Sequence, residues 1–329
     1  MRPQSRPAAA PLLAALTLAA SALTACGGDN EPAGDEASRA APEASTFPSG
    51  DGTLEELASS TVPGDDLVVS PAGGTYTEGR NRFAFAVFTL DREQVTDADV
   101  AIYASPGPDG EAGGPYPARV ESVETEPAFT AQSTSADPDA AKVVYVTDVV
   151  LDQPGEWRLL ALVREGDETV AVRMPSITVP ANDPIPAPGE RAPRVHTPTT
   201  EDVGGNVARI DTRVPPSTMH EHDLAGVLGE RPVVLVFATP ALCQTRVCGP
   251  LVDIAEQVKR DVGDEAAFIH MEIFEDNDPN KGVREQVAAY NLQTEPWVFV
   301  IDENGRIDTR IEGILSVAEL TDAVERVTG

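Results

Sequence analysis

The sequence predicts two folded domains in series, an all-β domain followed by an α/β domain. From about residue 63 to residue 180, short segments alternate apolar and polar residues, and clusters of Gly, Pro and Asp separate them. That pattern is typical of strands joined by turns. Beyond a proline-rich stretch, apolar runs with strand spacing alternate with runs of helical spacing, which indicates an α/β fold. A length of 329 residues leaves room for both domains and for an N-terminal tail.

The first 25 residues have the organisation of a secretory signal. Two arginines precede an apolar run from Leu12 to Leu23, which is too short to remain as a membrane-spanning helix. The next stretch, Leu23-Thr-Ala-Cys26, resembles the lipobox of bacterial lipoproteins. The resemblance implies that residues 1–25 are removed and that Cys26 carries the lipid, with its palmitate-type acyl chains. It therefore predicts a lipoprotein anchored at the extracytoplasmic face of the cell membrane. The alternative is an ordinary secretory signal in which this cysteine occurs by chance.

Charge and composition limit the partners. Residues 26–62 are rich in Gly, Ala, Glu, Asp, Ser and Pro, and they predict a flexible tether. Lys and Arg total 24 against 54 for Asp and Glu, a formal net charge of −30. A surface this acidic repels phosphate backbones, so the sequence predicts no nucleic-acid partner. The simplest interpretation of the charge is solubility.

The all-β domain, residues 63–180, is predicted to be an immunoglobulin-like β-sandwich. About seven short strands with little helical pattern between them favour this architecture. The region contains no Cys and no His, and its only Met is Met174. A copper-binding sandwich needs soft or imidazole ligands, so we interpret the domain as a spacer or docking module.

Residues 181–194 are rich in proline and predict a semi-rigid linker, and residues 195–329 form the α/β domain. Its predicted order is β-α-β-α-β-β-α. Asn304-Gly305 marks a hairpin between the last two strands. The predicted elements are strands at 232–238, 267–274, 297–301 and 306–311, and helices at 250–262, at 280–290 and from Ser316 onward, where Glu319 completes a capping box.

Two cysteines remain once Cys26 is assigned to the lipid. Cys243 and Cys248 lie between the first strand of the α/β domain and its first helix. Cys248 is expected at the helix N-terminus, where unpaired N–H groups and the helix dipole favour a thiolate. In an extracytoplasmic chain such a pair is either catalytic or structural.

This arrangement resembles the thioredoxin superfamily, over roughly residues 189–329. Cys248-Gly-Pro250 is similar to the first three residues of the Cys-Gly-Pro-Cys motif, and Glu295-Pro296 falls where that family carries a cis-proline. The stretch from Thr294 to Ile307 is similar to the TlpA-like branch. The resemblance implies Cys248 as the nucleophile, a substrate groove at Glu295, Pro296 and Trp297, no cofactor, and extracytoplasmic protein thiols and disulfides as partners.

One position departs from the family pattern. Leu251 stands where the family has its second cysteine, so we interpret Cys243, upstream of the helix, as the resolving thiol. A disulfide between Cys243 and Cys248 requires the Cα atoms to approach within about 7 Å. Two interpretations of Glu295, beside the predicted groove, stay open: it raises the pKa of a nearby thiol by like-charge repulsion, or it is a solvated carboxylate.

Three other functions stay open. Thr245 before Cys248 resembles a peroxiredoxin-like peroxidatic loop, although the spacing from Pro240 is one residue too long. Two loop cysteines with His270 resemble a Sco-like copper chaperone; the competing interpretation of His270 is a hydrogen-bonded core histidine. The third possibility is a fixed disulfide in a domain that only binds partners. His220 and His222, in a stretch predicted as helical over 217–228, are expected to form a polar surface pair.

Overall fold

The computed structural model describes residues 38–136, 140–166, 168–243 and 247–329. All described residues belong to one compact unit within Pro32–Gly329, which contains both domains. The predicted signal peptide and Cys26 lie outside the described residues, so these predictions remain predictions. In the described ranges, no helix combines the length and apolar character needed to cross a membrane.

The described residues form strands in both domains and helices mainly in the second. The strands are β1 (Val62–Pro63), β2 (Leu67–Pro71), β3 (Gly79–Thr89), β4 (Gln94–Val95), β5 (Asp99–Pro106), β6 (Gly113–Pro117), β7 (Arg119–Ser122), β8 (Val143–Leu151), β9 (Gly155–Glu165), β10 (Glu168–Arg173), β11 (Ile177–Val179), β12 (Val233–Phe237), β13 (Ala267–Met271), β14 (Trp297–Ile301) and β15 (Ile307–Glu312). The α-helices are α1 (Leu54–Ser59), α2 (Gln132–Ala136), α3 (Leu224–Val227), α4 (Cys248–Val262), α5 (Glu285–Ala289) and α6 (Val317–Thr328). Single 3-10 turns occupy Ala44–Thr46, Val207–Arg209, Gly263–Glu265, Glu275–Asn277 and Pro279–Lys281.

The N-terminal domain consists of two mainly antiparallel sheets. One sheet has the order β1-β10-β9-β5-β6, with β11 paired to β9, and the other has the order β2-β3-β8-β7, with β4 paired to β3. Inward side chains of both sheets share one core, for example Phe85 of β3 and Ala161 of β9. The alternation of buried and exposed positions along each strand produces this arrangement. The immunoglobulin-like assignment itself stays a prediction.

The predicted tether is too long. Residues 38–62 belong to the N-terminal domain, since the side chains of Phe47, Leu54 and Leu57 pack on Tyr103 and Leu162 in a separate small core. Helix α1 begins with a capping box at Thr53. The composition of this segment suggested a flexible chain, but these few apolar residues are spaced so that they cover one sheet.

The C-terminal domain is built on a four-stranded sheet of order β13-β12-β14-β15. Strand β12 is parallel to β13 and antiparallel to β14, and β14 and β15 form the predicted hairpin. Helices α4 and α6 pack on one face through Leu251 and Leu320. Leu224 of α3 and Val287 of α5 lie in the core on the other face. The predicted order of elements is confirmed, because the buried runs and helical faces are long enough to be read locally.

Three segments differ from prediction. The helix expected over 280–290 is a 3-10 turn followed by α5, and the helix expected over 217–228 is only α3. The predicted linker, 181–194, is docked along the second domain, because Ile185 and Ala192 are buried in its core. Asp183 also forms an ion pair with Arg310 at 2.6 Å. These contacts are tertiary, so local composition gives no sign of them.

The two domains share one continuous interface. The outer face of the β2-β3-β8-β7 sheet contributes Ala84, Val144 and Val146 to the core that contains α4 and α6. Ser316 caps α6 by accepting the Glu319 N–H at 3.0 Å. The Glu319 carboxylate does not complete the predicted capping box; it binds Arg82 of β3 at 2.6 Å. A residue assigned to local capping therefore joins the domains.

A segment of the N-terminal domain also crosses onto α4. We call residues 124–136 the clamp segment. Its Ala131 N–H donates to Asp253 at 3.0 Å, and its Glu126 forms an ion pair with Arg260 at 2.8 Å. The Phe129 ring lies under the Arg260 guanidinium, 4.5 Å from centroid to Cζ. The clamp segment thus holds the helix that carries Cys248.

Candidate functional site

A disulfide joins Cys243 and Cys248 between β12 and α4. The Cα atoms lie 6.1 Å apart, within the range that a disulfide requires. Cys248 is the first residue of α4, as the sequence predicts. The chain reaches this point because β12 is fully buried and Pro250 occupies the first turn of the helix, where a missing N–H is tolerated. The sulfur of Cys248 therefore lies at the positive end of a 15-residue helix.

The two cysteines differ in exposure. Cys248 has no solvent-accessible surface, whereas Cys243 is partly exposed. Cys248 shares its core with Val144 and Val146 of the N-terminal domain. Gly249 faces the clamp segment so closely that a Cβ there would lie 3.0 Å from Thr134 Oγ1. The clamp segment therefore lies against the first turn of α4, next to the disulfide.

The side chain of Glu295 lies close to the disulfide. One of its carboxylate oxygens and the two sulfur atoms all lie within 4.8 Å of one another. Its Oε2 accepts the Thr239 N–H at 2.8 Å and lies 3.6 Å from Cys248 Sγ. Sγ carries no proton in the disulfide, so this contact becomes a hydrogen bond only after reduction. Burial raises the pKa of the Glu295 carboxyl to about 7, the Glu272 carboxylate adds to the shift, and the Thr239 N–H opposes it. The site therefore has a carboxyl group that can exchange a proton at neutral pH.

The predicted groove residues are divided between the two faces of the sheet. Pro296 is cis and buried, beside Glu295. Trp297 is 2 % exposed, but it packs in the opposite core with Phe299 and under Arg310. Cys248 belongs to the core on the other face of the sheet, so the packing of Trp297 gives no support to its place in the groove, which stays a prediction.

A buried polar cluster lies next to the site. Asp211 Oδ2 lies 2.9 Å from His220 Nε2 and 3.3 Å from His270 Nδ1, and it accepts the Ser217 N–H at 2.6 Å. His270 Nε2 donates to the Ala238 carbonyl at 3.0 Å, one residue before the N–H that holds Glu295.

The charges in this cluster follow from its contacts. Burial alone would raise the pKa of Asp211, but the two histidines outweigh it and hold that pKa well below its ordinary value. Burial alone would likewise lower the pKa of His270, but the Asp211 carboxylate raises it above its ordinary value. Burial lowers the pKa of His220. We therefore describe Asp211 and His270 as an ion pair and His220 as a neutral donor.

The histidine predictions have mixed outcomes. His270 is a hydrogen-bonded core histidine, 1 % exposed, as the competing interpretation expects. His220 is 2 % exposed, so its assignment to a polar surface pair with His222 is wrong. The stretch before α3 is irregular rather than helical, and in this conformation the His220 side chain points into the protein. Geometrically, Asp211, His220 and His270 could hold a metal ion, as could Cys243, Cys248 and Glu295 once the disulfide is reduced.

Other residues at the site carry no clear sequence signal. Arg213 binds Asp253 of α4 at 2.8 Å, and their side chains are 7 % and 1 % exposed. The Asp253 carboxylate also accepts the Ala131 N–H of the clamp segment. Asp253 therefore connects α4 both to Arg213 and to the N-terminal domain. Glu272 is fully buried, and its Oε1 accepts the Thr212 N–H at 2.6 Å. Asp253 is followed at helical spacing by Glu256 and Gln257, the pattern of a solvated helical face, and Asp211 and Arg213 lie in an irregular stretch without a motif.

The strand order β13-β12-β14-β15, with helices on both faces of the sheet, decides the fold of this domain. The C-terminal domain has a thioredoxin-like fold. Its sheet and its two flanking helix layers arise from the predicted elements. The prediction from the Cys-Gly-Pro and Glu-Pro sequences is confirmed at this level.

Comparisons with solved structures found thioredoxin-family proteins. A thiol:disulfide interchange protein of the thioredoxin family from Chlorobium tepidum TLS is 18% identical and has a TM-score of 0.31; the match covers 44% of this chain and 99% of that one. A thiol:disulfide interchange protein DsbE from Chlorobium tepidum is 14% identical, with the same coverage and TM-score. A thioredoxin-like superfamily protein is 16% identical over 33% of this chain and 86% of that one, with a TM-score of 0.27. No family model and no curated protein matches the chain. The topology described above therefore carries the fold assignment.

Proposed function

We propose that this protein is a thiol–disulfide oxidoreductase that a lipid on Cys26 holds at the extracytoplasmic face of the cell membrane. One observation supports the activity above all others. A disulfide lies at the N-terminus of α4, with a carboxyl group whose pKa is about 7 at 3.6 Å from the buried sulfur. The lipobox-like sequence supports the location, and the proposed partners are extracytoplasmic protein thiols and disulfides.

Exposure favours Cys243 as the sulfur that meets the partner. A partner thiolate attacks Cys243 Sγ, the Cys243–Cys248 bond breaks, and a mixed disulfide forms between the partner and Cys243. Cys248 leaves as a thiolate, which the α4 N-terminus stabilises, and protonated Glu295 transfers its proton to that sulfur. A second partner thiolate then attacks the partner sulfur and releases Cys243. The partner dithiol loses two electrons to the cysteine pair.

The same steps in reverse reduce a partner disulfide. The Cys243 thiolate then attacks the partner, and Cys248, after giving its proton to the Glu295 carboxylate, resolves the mixed disulfide. This order reverses the roles predicted from sequence, where Cys248 attacks and Cys243 resolves. The physical reason is exposure, because Cys248 has no solvent-accessible surface whereas Cys243 is partly exposed.

Single-thiol variants test the proposal in the full chain carrying Cys26→Ser, which removes the third thiol. We expect Cys243 in Cys248→Ser to react with a small aromatic disulfide at least about tenfold faster than Cys248 in Cys243→Ser, because a buried thiol is inaccessible. Both thiols should react equally in denaturant. In the protein with both cysteines, the pair should titrate reversibly in redox buffers near about −300 to −120 mV. Equal native rates would contradict the assigned order, and a pair reduced only on unfolding would contradict the enzyme.

A structural disulfide is the second candidate, because the complete burial of Cys248 suits it. That function predicts no reversible titration and a loss of stability on reduction. The copper chaperone receives less support. His270 is held by Asp211 and Ala238, and it is absent from the possible metal-ligand group formed by Cys243, Cys248 and Glu295 in the described residues. For the peroxidase alternative, Thr245 lies outside the described residues. Membrane location is tested separately, since Cys26→Ser should release the protein from the membrane fraction.

A further inference from the structure

An apolar groove lies on the N-terminal domain next to the disulfide. It has a volume of about 600 Å³ and follows the outer face of β2 and β3 towards Val247, the residue before Cys248. Val68 and Leu90, which line it, are 45 % and 66 % exposed. The volume falls within the range of ligand-binding pockets.

The sheet alternation explains why the groove is unusual. On β3, Phe83, Phe85 and Val87 point into the sandwich core. The intervening positions point outward, and on a solvated antiparallel sheet these are polar as a rule. Here Ala84 of the outer face is covered by the second domain. Beyond that cover the same face continues with Ala86 and Phe88, which line the groove.

Register extends this apolar face across two strands. Phe88 of β3 is paired with Val68 of the edge strand β2, and Ala86 is paired with Ser70. Exposed apolar area of this kind, continuous with a buried interface, is typical of a binding surface. The groove reaches Val247, the residue before Cys248, so the proposed exchange site lies at one end of the groove.

The charge of the groove limits which kind of segment can bind there. The chain carries a net charge of −30, but the one charged residue lining the groove in the described part of the chain is Arg92. Inside the groove this single cation disfavours a basic segment and favours an apolar segment with one acidic residue.

We propose that this groove binds the extended, apolar segment that flanks the reactive cysteine of the partner protein, with an acidic side chain near Arg92. This inference rests on the proposed exchange activity and gives the N-terminal domain a role in it. Apolar contact holds the partner while its sulfur reaches Cys243, which raises the local concentration of the two sulfurs. Small disulfides lack the flanking segment and gain nothing from the groove.

The test uses peptides whose single cysteine is activated as a mixed disulfide with thionitrobenzoate. The Cys243 thiolate attacks the peptide sulfur, the bond to thionitrobenzoate breaks, and the coloured thiolate leaves. The protein is the full chain with Cys26→Ser and Cys248→Ser. One peptide has Val, Leu and Phe around the cysteine and one Asp, and the matched peptide has Ser, Asn and Gly instead.

We expect the apolar peptide to react about tenfold faster than the polar peptide, a difference equivalent to about 1.4 kcal/mol. Leu90→Asp and Val68→Asp should abolish this advantage. Val150→Asp is the matched control, because Val150 is a 42 % exposed residue of β8 that does not line the groove. All variants should react alike with a thionitrobenzoate adduct of free cysteine.

Several outcomes would overturn the inference. Equal rates for the two peptides, or an equal loss in the control variant, would leave the groove without a role in exchange. Light scattering that finds a dimer dissociated by Leu90→Asp would assign the groove to a second copy of this chain. If even the free cysteine adduct fails to react with Cys243, the proposed exchange activity fails first, and the two failures are thereby distinguished.

Discussion

Replacing Glu295 with Gln should make the cysteine pair more oxidising. The Glu295 carboxylate and the Cys248 sulfur are 3.6 Å apart. Two charges at that distance repel each other by about 4–5 kcal/mol at an effective dielectric constant of about 20. This equals about three pKa units, an upper value because the released sulfur can move away. We therefore expect Glu295→Gln to lower the pKa of the Cys248 thiol by about one to two units.

The direction of the change in potential follows from the thiolate. A lower thiol pKa stabilises the reduced form, so the reduction potential becomes less negative, by about 30 mV for each pKa unit. The effect depends on pH. Since the pKa of Glu295 is about 7, the native side chain is ionised above this pH and neutral below it. The difference between native protein and Glu295→Gln should be full above about pH 8 and fade below about pH 6.

The assay is ultraviolet thiolate absorbance against pH in the Cys26→Ser, Cys243→Ser background, with and without Glu295→Gln. Redox titration of the two-cysteine protein gives the potential. Glu303→Gln is the control, because it removes one exposed carboxylate from the β14–β15 hairpin. Glutamine can still accept the Thr239 N–H, so the fold is retained. An unchanged Cys248 pKa in Glu295→Gln, or an equal shift in Glu303→Gln, would refute the coupling.

Two further predictions concern the buried charges. Arg213→Met should lower the free energy of unfolding by about 3 kcal/mol, since it leaves the buried Asp253 carboxylate without its cation. Urea unfolding measures this change. The double variant Arg213→Met, Asp253→Asn should recover part of the lost stability, and no recovery would contradict the reasoning. His270 has its pKa raised by Asp211, so its stabilising charge is fully present below the unfolded pKa of 6.5 and is lost as pH rises through the folded pKa. The free energy of unfolding should therefore fall between about pH 6.5 and about pH 9. A His270→Gln variant that keeps the same slope would contradict the Asp211–His270 ion pair.

The sequence by itself determined the local features of this protein. Cys248 begins α4, Asn304-Gly305 forms the hairpin and Glu295-Pro296 precedes β14, because each depends on a few adjacent residues whose backbone preferences agree. The order of strands and helices in the second domain follows from hydrophobic spacing for the same reason. The prediction of a flexible tether up to residue 62 was wrong, because a few apolar residues of this polar segment pack on a sheet of the N-terminal domain.

Tertiary structure decided the properties of the site. Cys248 is buried in a core that also contains Val144 and Val146 of the N-terminal domain, about a hundred positions earlier in the chain. Asp211, His220 and His270 meet because an irregular stretch folds over β13. Burial and charge set the pKa values of these groups and the exposure of each sulfur, and both depend on which surfaces dock. Residue types and spacing identify candidate thiols, but only the docked domains determine which thiol a partner can reach.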